Sequence, residues 1–510
     1  MKRQAGLCYV VSFLLLSAAI SAADDEPNAP WDVGNRTSLF LDDDFLAEQA
    51  GLKRTWHQGQ PHPEAIVAET EPNDHWILLH GSCFYDPESK VYRMYYQSTH
   101  LPSGVPGVSF LDLICYAESK DGTTWVKPKL GLVEFRGSKD NNIVLELAGP
   151  PNVFVDPLAT DRSKRLRMLT YATKGRGPTE GHPGLCWLTS EDGLQWTFES
   201  GVNTPTFADP TEAMFNDLFI VGWDDRQKSY IGNWRGFSKH TIGNLQGNRR
   251  RAIGRTMSPD LQTWTPSVTI VRPDELDDRK AAAFGQNPDA PDWAELYIMP
   301  SFSYGNHHLG LVTLFCMVDA KDLNGGGDLQ FCYSHDGLKW KRQPDRQTAM
   351  APGGDPALFP CFAQFSPPLD MGNEIWIFYS EANGVHGIQD WQKSRGRIRA
   401  AVWRKDGFVS LDAAEKGTFT TRPLSFTGDE LHLNFDTRTG GSVRVAVLDQ
   451  DGKPLPGFTL DDCLPLTGDA VSQPVVWKNG SELSQLEGKP IRLNVELSNS
   501  RLWSFRFAQR

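Results

Sequence analysis

CYAESKDGTTW (Cys115–Trp125) recurs as CWLTSEDGLQW (Cys186–Trp196), and the end of the phrase returns as SPDLQTW, closing on Trp264, and SHDGLKW, closing on Trp340. A fifth copy, RKDGFVSL, keeps Asp406 and Gly407 but has no Trp. The four tryptophans stand 71, 68 and 76 residues apart. Self-similarity at such a period signals stacked or radially arranged units.

Each copy has a companion upstream. CFYDPESKVYRMYY (Cys83–Tyr96) reads as strand, turn, strand, with large apolar residues alternating after the turn. Counterparts turn at Asp156, Asp224, Asn306 and Asn373. Asp86, Asp156 and Asp224 precede their downstream aspartates by 35, 36 and 36 residues, so the two hairpins keep a constant phase. Two hairpins make four antiparallel strands, and five such units in a ring make an all-β, five-bladed β-propeller, which leaves only short protected sheet edges. The recurrent phrase is then a structural turn. Its Asp bonds local backbone, its Gly accepts positive φ and its Trp packs on a neighbouring strand. Asp86 and Asp156 fall in turns by phase and read as structural.

The repeat stops near residue 425. LHLNFDTR, SVRVAVLDQDGKPLPGF and PIRLNVELSNSRLWSFRF alternate like half-buried strands, which predicts a C-terminal β-sandwich. The expected organisation is a signal peptide over 1–23, a lead-in over 24–70, the propeller over 71–416, and a linker with the sandwich over 417–510. The lead-in should pack on the propeller or close its last blade.

Lys2 and Arg3 precede VVSFLLLSAAISA, and Ala23 stands before the acidic Asp24. That is the pattern of a cleavable export signal, which predicts a secreted or periplasmic protein. The apolar run is shorter than a membrane span of about 20 residues. The formal net charge of −12 becomes more negative by two once the signal leaves, which disfavours nucleic acid and anionic membranes as partners. Seven of the eight cysteines remain, without metal-ligand spacing, and read as buried thiols with Cys316 and Cys332 open to a bridge across a hairpin.

The phrases LFLDDDFL, ICYAESKDGTTWVKPKLGLVEF, KDNNIVL, DGFVSLDA and TTRPLSF, on top of a five-bladed ring followed by a sandwich, resemble the family-32-like glycoside hydrolases of environmental bacteria, within the invertase, levanase and arabinanase type. The resemblance spans the mature chain. It implies an exported hydrolase of oligo- or polysaccharides without a redox cofactor, with three carboxylates at the funnel mouth. One protonates the departing oxygen, one attacks or activates water, and a third tunes the acid. It also implies that Ca²⁺ could sit on the propeller axis.

Those carboxylates belong near the start of each innermost strand, ahead of the first hairpin turn. Counting back from the turns finds Asp217 as base or orienter, Glu295 as proton donor beside an apolar run, and Asp74 as the third group. For sugar binding, Trp76 and His80 flank the first inner strand, Trp234 and Arg235 follow a third-blade strand, Tyr304, His307 and His308 sit in the fourth repeat, and His386 lies beyond the fifth. Aromatic faces stack on sugars, imidazoles bond hydroxyls and a guanidinium can clamp an anionic group. A non-catalytic carbohydrate-binding propeller is the alternative, and a sialidase a weaker one. N-terminal sequencing of the exported protein is expected to begin at Asp24.

Overall fold

Each repeat folds as one antiparallel sheet. The computed structural model describes residues 29–101, 103–106, 110–173, 177–209, 213–239, 249–284, 294–319, 324–355, 357–383, 393–478 and 482–510, without the side chains at 213–217, 237–239, 249, 284, 317–319 and 324–326. The first sheet orders Ile77–Asp86, Val91–His100, Leu111–Ser119 and Ile143–Glu146. The second orders Ala148–Val155, Leu166–Ala172, Gly184–Ser190 and Thr197–Gly201, and the third Ala213–Asp224, Ser229–Lys239, Arg249–Ser258 and Val268–Val271. In the fourth, Ala294–Ile298 and Ser301–Tyr304 both pair with His307–Asp319, followed by Asn324–Ser334 and Lys341–Arg342. The fifth places Phe359–Ala363 and Leu369–Asp370 on Glu374–Ala382, then Gly396–Arg404. Its outer strand is Gln60–Val67, from the opposite end of the chain, which locks the five-bladed propeller shut. This explains the missing Trp of the fifth copy: the segment after Asp406 does not become a blade strand.

The first strands are innermost. Trp76 and Leu78, Leu218 and Ile220, Tyr297 and Ile298, and Phe362 and Phe365 meet in one buried cluster drawn from four sheets. Neighbouring sheets are tied by polar side chains on backbone groups. Val153 N donates to Ser82 Oγ at 2.9 Å, Val221 N to Asn152 Oδ1 at 2.6 Å, and Asn233 Nδ2 to the Met299 carbonyl at 3.1 Å. Thr313 Oγ1 donates to the Cys361 carbonyl at 2.6 Å, and Leu79 N to Ser380 Oγ at 2.5 Å, completing the circle from the fifth sheet to the first.

The recurrent turn is built alike each time. Asp121 Oδ1 accepts from the amides of Thr123 and Thr124, both at 2.8 Å, and Asp192, Asp260 and Asp336 repeat the pattern. The Gly122, Gly193 and Gly337 φ angles of 80°, 79° and 76° require glycine's freedom. A serine three residues earlier, Ser119 in the first copy and Ser190 in the second, accepts from the glycine amide. Trp125 and Trp340 donate Nε1 back to the carbonyls of Gly122 and Gly337.

The first-hairpin aspartates do a second structural job. Buried Asp86 takes Arg93 at 2.9 Å and, from the second sheet, Arg165 at 2.6 Å. Asp156 accepts from Tyr230 of the third sheet at 2.5 Å, and Asp224 faces His308 Nδ1 of the fourth at 3.3 Å.

The described residues up to Trp56 and from Val409 onward form a second compact unit, separate from His57–Phe408. Its nine strands share one hydrogen-bonded sheet, in which the 20-residue Glu430–Asp449 and the 18-residue Ile491–Ala508 pair along most of their length. Breaks in register at Asn434/Phe435 and Thr437/Ser442 bend it about a core that includes Phe40, Phe419, Val445 and Phe505. The expected domain limits change accordingly. The strands within 31–56 join the C-terminal unit, and that unit begins at Val409, eight residues before the expected 417. Cys316 and Cys332 do not bridge: Cys316 lies opposite Gly326 and Cys332 opposite Gly310, and the seven described cysteines are buried free thiols. No described helix is long and apolar enough to cross a membrane.

Burial pushes the Asp86 carboxyl up, but bonding to Arg165 and Ser89 and the charges of Arg93 and Arg165 outweigh it and hold the group at about 2. Its folded value lies below that of the unfolded chain, so its contribution is complete above about pH 4 and is lost as pH falls toward 2. Asp86→Asn is expected to destabilise the propeller by about 3–5 kcal/mol at pH 7, by stranding two arginines. In denaturant titrations it should also flatten the acid limb.

Candidate active site at the strand-start mouth

The five hairpin turns mark one end of the ring, and the starts of the first strands mark the other. Glu295, the second residue of Ala294–Ile298, is 3% exposed and accepts from Arg251 Nη1 of the third sheet at 2.7 Å. Two residues on, the Tyr297 ring carries the Arg235 guanidinium 4.3 Å from its centroid and that of Arg251 at 5.6 Å. Two cations over one aromatic ring are held by its quadrupole.

Across the mouth, His80 stacks on Phe362 at 4.6 Å and lies 6.3 Å from Tyr297. His80 Nδ1 meets Gln97 Oε1 at 3.3 Å, and Gln97 Nε2 in turn donates to Asp112 Oδ1 at 2.8 Å. Thr99 Oγ1 donates to the same oxygen at 2.8 Å. Burial pushes the Asp112 carboxyl above the usual carboxylate range, and the Thr99 and Gln97 bonds offset this only in part. In the fifth sheet, Glu381 accepts from Tyr379 at 3.0 Å and from Arg397 Nε at 2.5 Å, with Arg399 Nε at 3.7 Å.

Glu295, Arg235, His80 and Trp76 therefore converge on the mouth, in different roles from those expected. Glu295 gives its Oε2 to Arg251. Trp76, 5% exposed, fills the axial cluster with its backbone at φ 43°, and offers no open face for a sugar. Asp217 lies in Ala213–Asp224, in the register break between Met214 and Phe219, and its side chain is outside the described residues. His386 also lies outside them.

The remaining candidates belong elsewhere. The Asp74 side chain is fully buried and consumed by the amides of Thr70 and Glu71, by Tyr96 at 3.0 Å and by Lys127 at 2.5 Å, so it is a structural anchor. Trp234 lies inside the third sheet's packing, against Gly254, with Nε1 bonded to Ser267. Tyr304 and His307 flank a first-hairpin turn, at the opposite end of the ring. Tyr304 bonds Asp406 at 2.7 Å, and His307 is 1% exposed beside His335, their rings 4.9 Å apart.

Counting from the turns missed Asp112 and Glu381, which sit on second and third strands. Each is a lone acid in an apolar run, LDLICY and IFYSEA, and that is the sequence signal that could have found them.

No protein-family model matches the chain, and no curated protein matches it in sequence. Among solved structures it is similar to one described as "Glycoside hydrolase", with 15% identity, TM-score 0.42, and coverage of 69% of this chain and 92% of that one. It is also similar to a glycosyl hydrolase from Bacteroides ovatus, with 13% identity, TM-score 0.39 and coverage of 69% and 94%. A beta-1,2-mannobiose phosphorylase from Listeria innocua shows 12% identity, TM-score 0.39 and coverage of 67% and 95%. At these scores the likeness says nothing about chemistry, which rests on the side chains above.

Arg251→Ala removes the guanidinium bonded to buried Glu295 at 2.7 Å. The variant is expected to lose about 3–5 kcal/mol of stability in chemical denaturation, and Arg251→Lys to lose less.

Proposed function

We propose that the chain is an exported glycoside hydrolase that cleaves oligo- or polysaccharides at the strand-start mouth, of the family-32-like kind its phrases resemble. The observation that carries this reading is the contrast between two carboxyl groups. Glu295 is paired with Arg251, whereas Asp112 is bonded by the neutral Gln97 and Thr99 and pushed up by burial. A pair of carboxyl groups is what glycoside hydrolysis needs, and burial raises Asp112, the one placed here as the acid.

In this scheme Asp112 donates its proton to the departing glycosidic oxygen. A second carboxyl group, Glu295, faces the developing oxocarbenium ion and attacks it or activates water. His80 and Gln97 orient Asp112 and reach sugar hydroxyls, and the arginines beside Tyr297 hold the negative end of the site.

The test is release of new reducing ends from a panel of fructans, arabinans and sulfated algal polymers. On the best substrate, Asp112→Asn is expected to lower kcat about 10²–10⁴-fold. It should also remove the fall in activity that the wild type shows as pH rises through the raised Asp112 value. A wild-type rate retained by Asp112→Asn would refute the assignment. Arginine pairing of both Glu295 and Glu381 favours the second reading, a non-catalytic carbohydrate-binding propeller. That reading predicts binding with no reducing ends from any polymer.

A further inference from the structure

We propose that the ring carries a second ligand site at its other end, where the first hairpins turn, and that its occupant is a single neutral sugar ring. A cavity of about 270 Å³ opens there, bounded by the far ends of the first strands of all five sheets. Tyr85, Trp223 and Phe302 give it aromatic walls, and Ser303, Asp224 and His308 give it hydroxyl, carboxylate and imidazole groups. Tyr85 is 44% exposed at its lip.

Gly222 makes the space. Glycine inside a strand often marks a bulge, a bend, or close approach by another backbone or a ligand. A Cβ built at Gly222 meets no atom within 4 Å, so no neighbouring part of the described protein occupies the room that the missing side chain leaves. The other glycines of this sheet that face packing are filled: at Gly254 a Cβ would strike the Trp234 ring, and at Gly232 the Phe219 ring.

The wall chemistry selects the ligand. Asp224, 3% exposed, meets His308 Nδ1 at 3.3 Å, and buried Arg255, which also lines the cavity, feels its charge. Burial and the Arg255 charge push His308 down to about 4, so its ring is neutral at physiological pH. One buried acid matched by one buried base, a neutral imidazole and serine hydroxyls between aromatic faces suit a molecule with hydroxyls and an apolar face, and give no net charge to attract an ion. Apolar side chains of the axial cluster, Ile220 and Phe362 among them, stand between this cavity and the strand-start mouth. The proposal is therefore independent of whether the mouth is catalytic.

The test is saturation-transfer NMR and calorimetry of the full-length protein with glucose, galactose, mannose, arabinose and fructose, in the wild type, Gly222→Leu and Asp112→Asn. At least one sugar is expected to bind the wild type and Asp112→Asn alike, and to bind Gly222→Leu at least ten-fold more weakly, with circular dichroism and melting temperature of that variant unchanged. Should Gly222→Leu unfold, the milder Gly222→Ala takes its place, with an intermediate loss expected. Binding by none of the five sugars, binding undiminished in the Gly222 variant, or binding lost instead in Asp112→Asn would each overturn the proposal. Polymer cleavage is scored separately, so failure here and failure of the hydrolase reading are distinguishable.

Discussion

The propeller depends on closure. Five sheets that each pair internally could splay apart, since an antiparallel sheet gains nothing from its neighbour through its own ladder. What holds them in register is the circuit of polar side chains on backbone groups, from Ser82 to Val153, Asn152 to Val221, Asn233 to Met299, Thr313 to Cys361 and Ser380 back to Leu79. These bonds are buried, so breaking one leaves a donor or acceptor that water cannot reach, at a cost of about 1–3 kcal/mol. The last sheet is completed by a strand from the other end of the chain, Gln60–Val67, so the circuit cannot open without separating distant segments.

Closure also decides where chemistry can occur. Because all first strands run the same way, their starts share one mouth and their turns share the other. At the turn end the aspartates are committed to neighbouring sheets, as Asp86 is to Arg165 and Asp156 to Tyr230. At the start end the strands deliver Glu295, Tyr297 and His80, while Gln97 and Asp112 reach in from the second and third strands of the first sheet. The apolar axial cluster lies between the two ends and leaves each its own chemistry.

Much of the fold was legible because its signal is local. Asp121, Gly122 and Trp125 form a turn whose hydrogen bonds close within a few residues, and such chemistry survives in sequence as a phrase. Even there Ser119 was passed over, although its hydroxyl caps the glycine amide. The site was far less legible. Counting back from the turns assumes an unbroken two-residue alternation, yet every first strand carries a register break: Leu78/Ser82, Gly149/Asn152, Met214/Phe219, Leu296/Ile298 and Pro360/Ala363. Each break shifts which face a later residue presents. Asp74 looked like a funnel acid only because its partners, Tyr96 and Lys127, are distant in sequence. Tyr304 was placed by its neighbourhood in the chain, while the direction of its strand puts it at the wrong end.

The central claim is that closure builds one mouth in which Asp112 and Glu295 face a common ligand. A crystal structure of the protein soaked with an oligosaccharide tests it most directly. The account predicts sugar density at the strand-start mouth, with a glycosidic oxygen within about 3 Å of the Asp112 carboxyl and the ring over His80 or Tyr297. Sugar bound only on the unit built from the strands within 31–56 and from Val409 onward, or a mouth in which Asp112 and Glu295 never contact the same molecule, would contradict it.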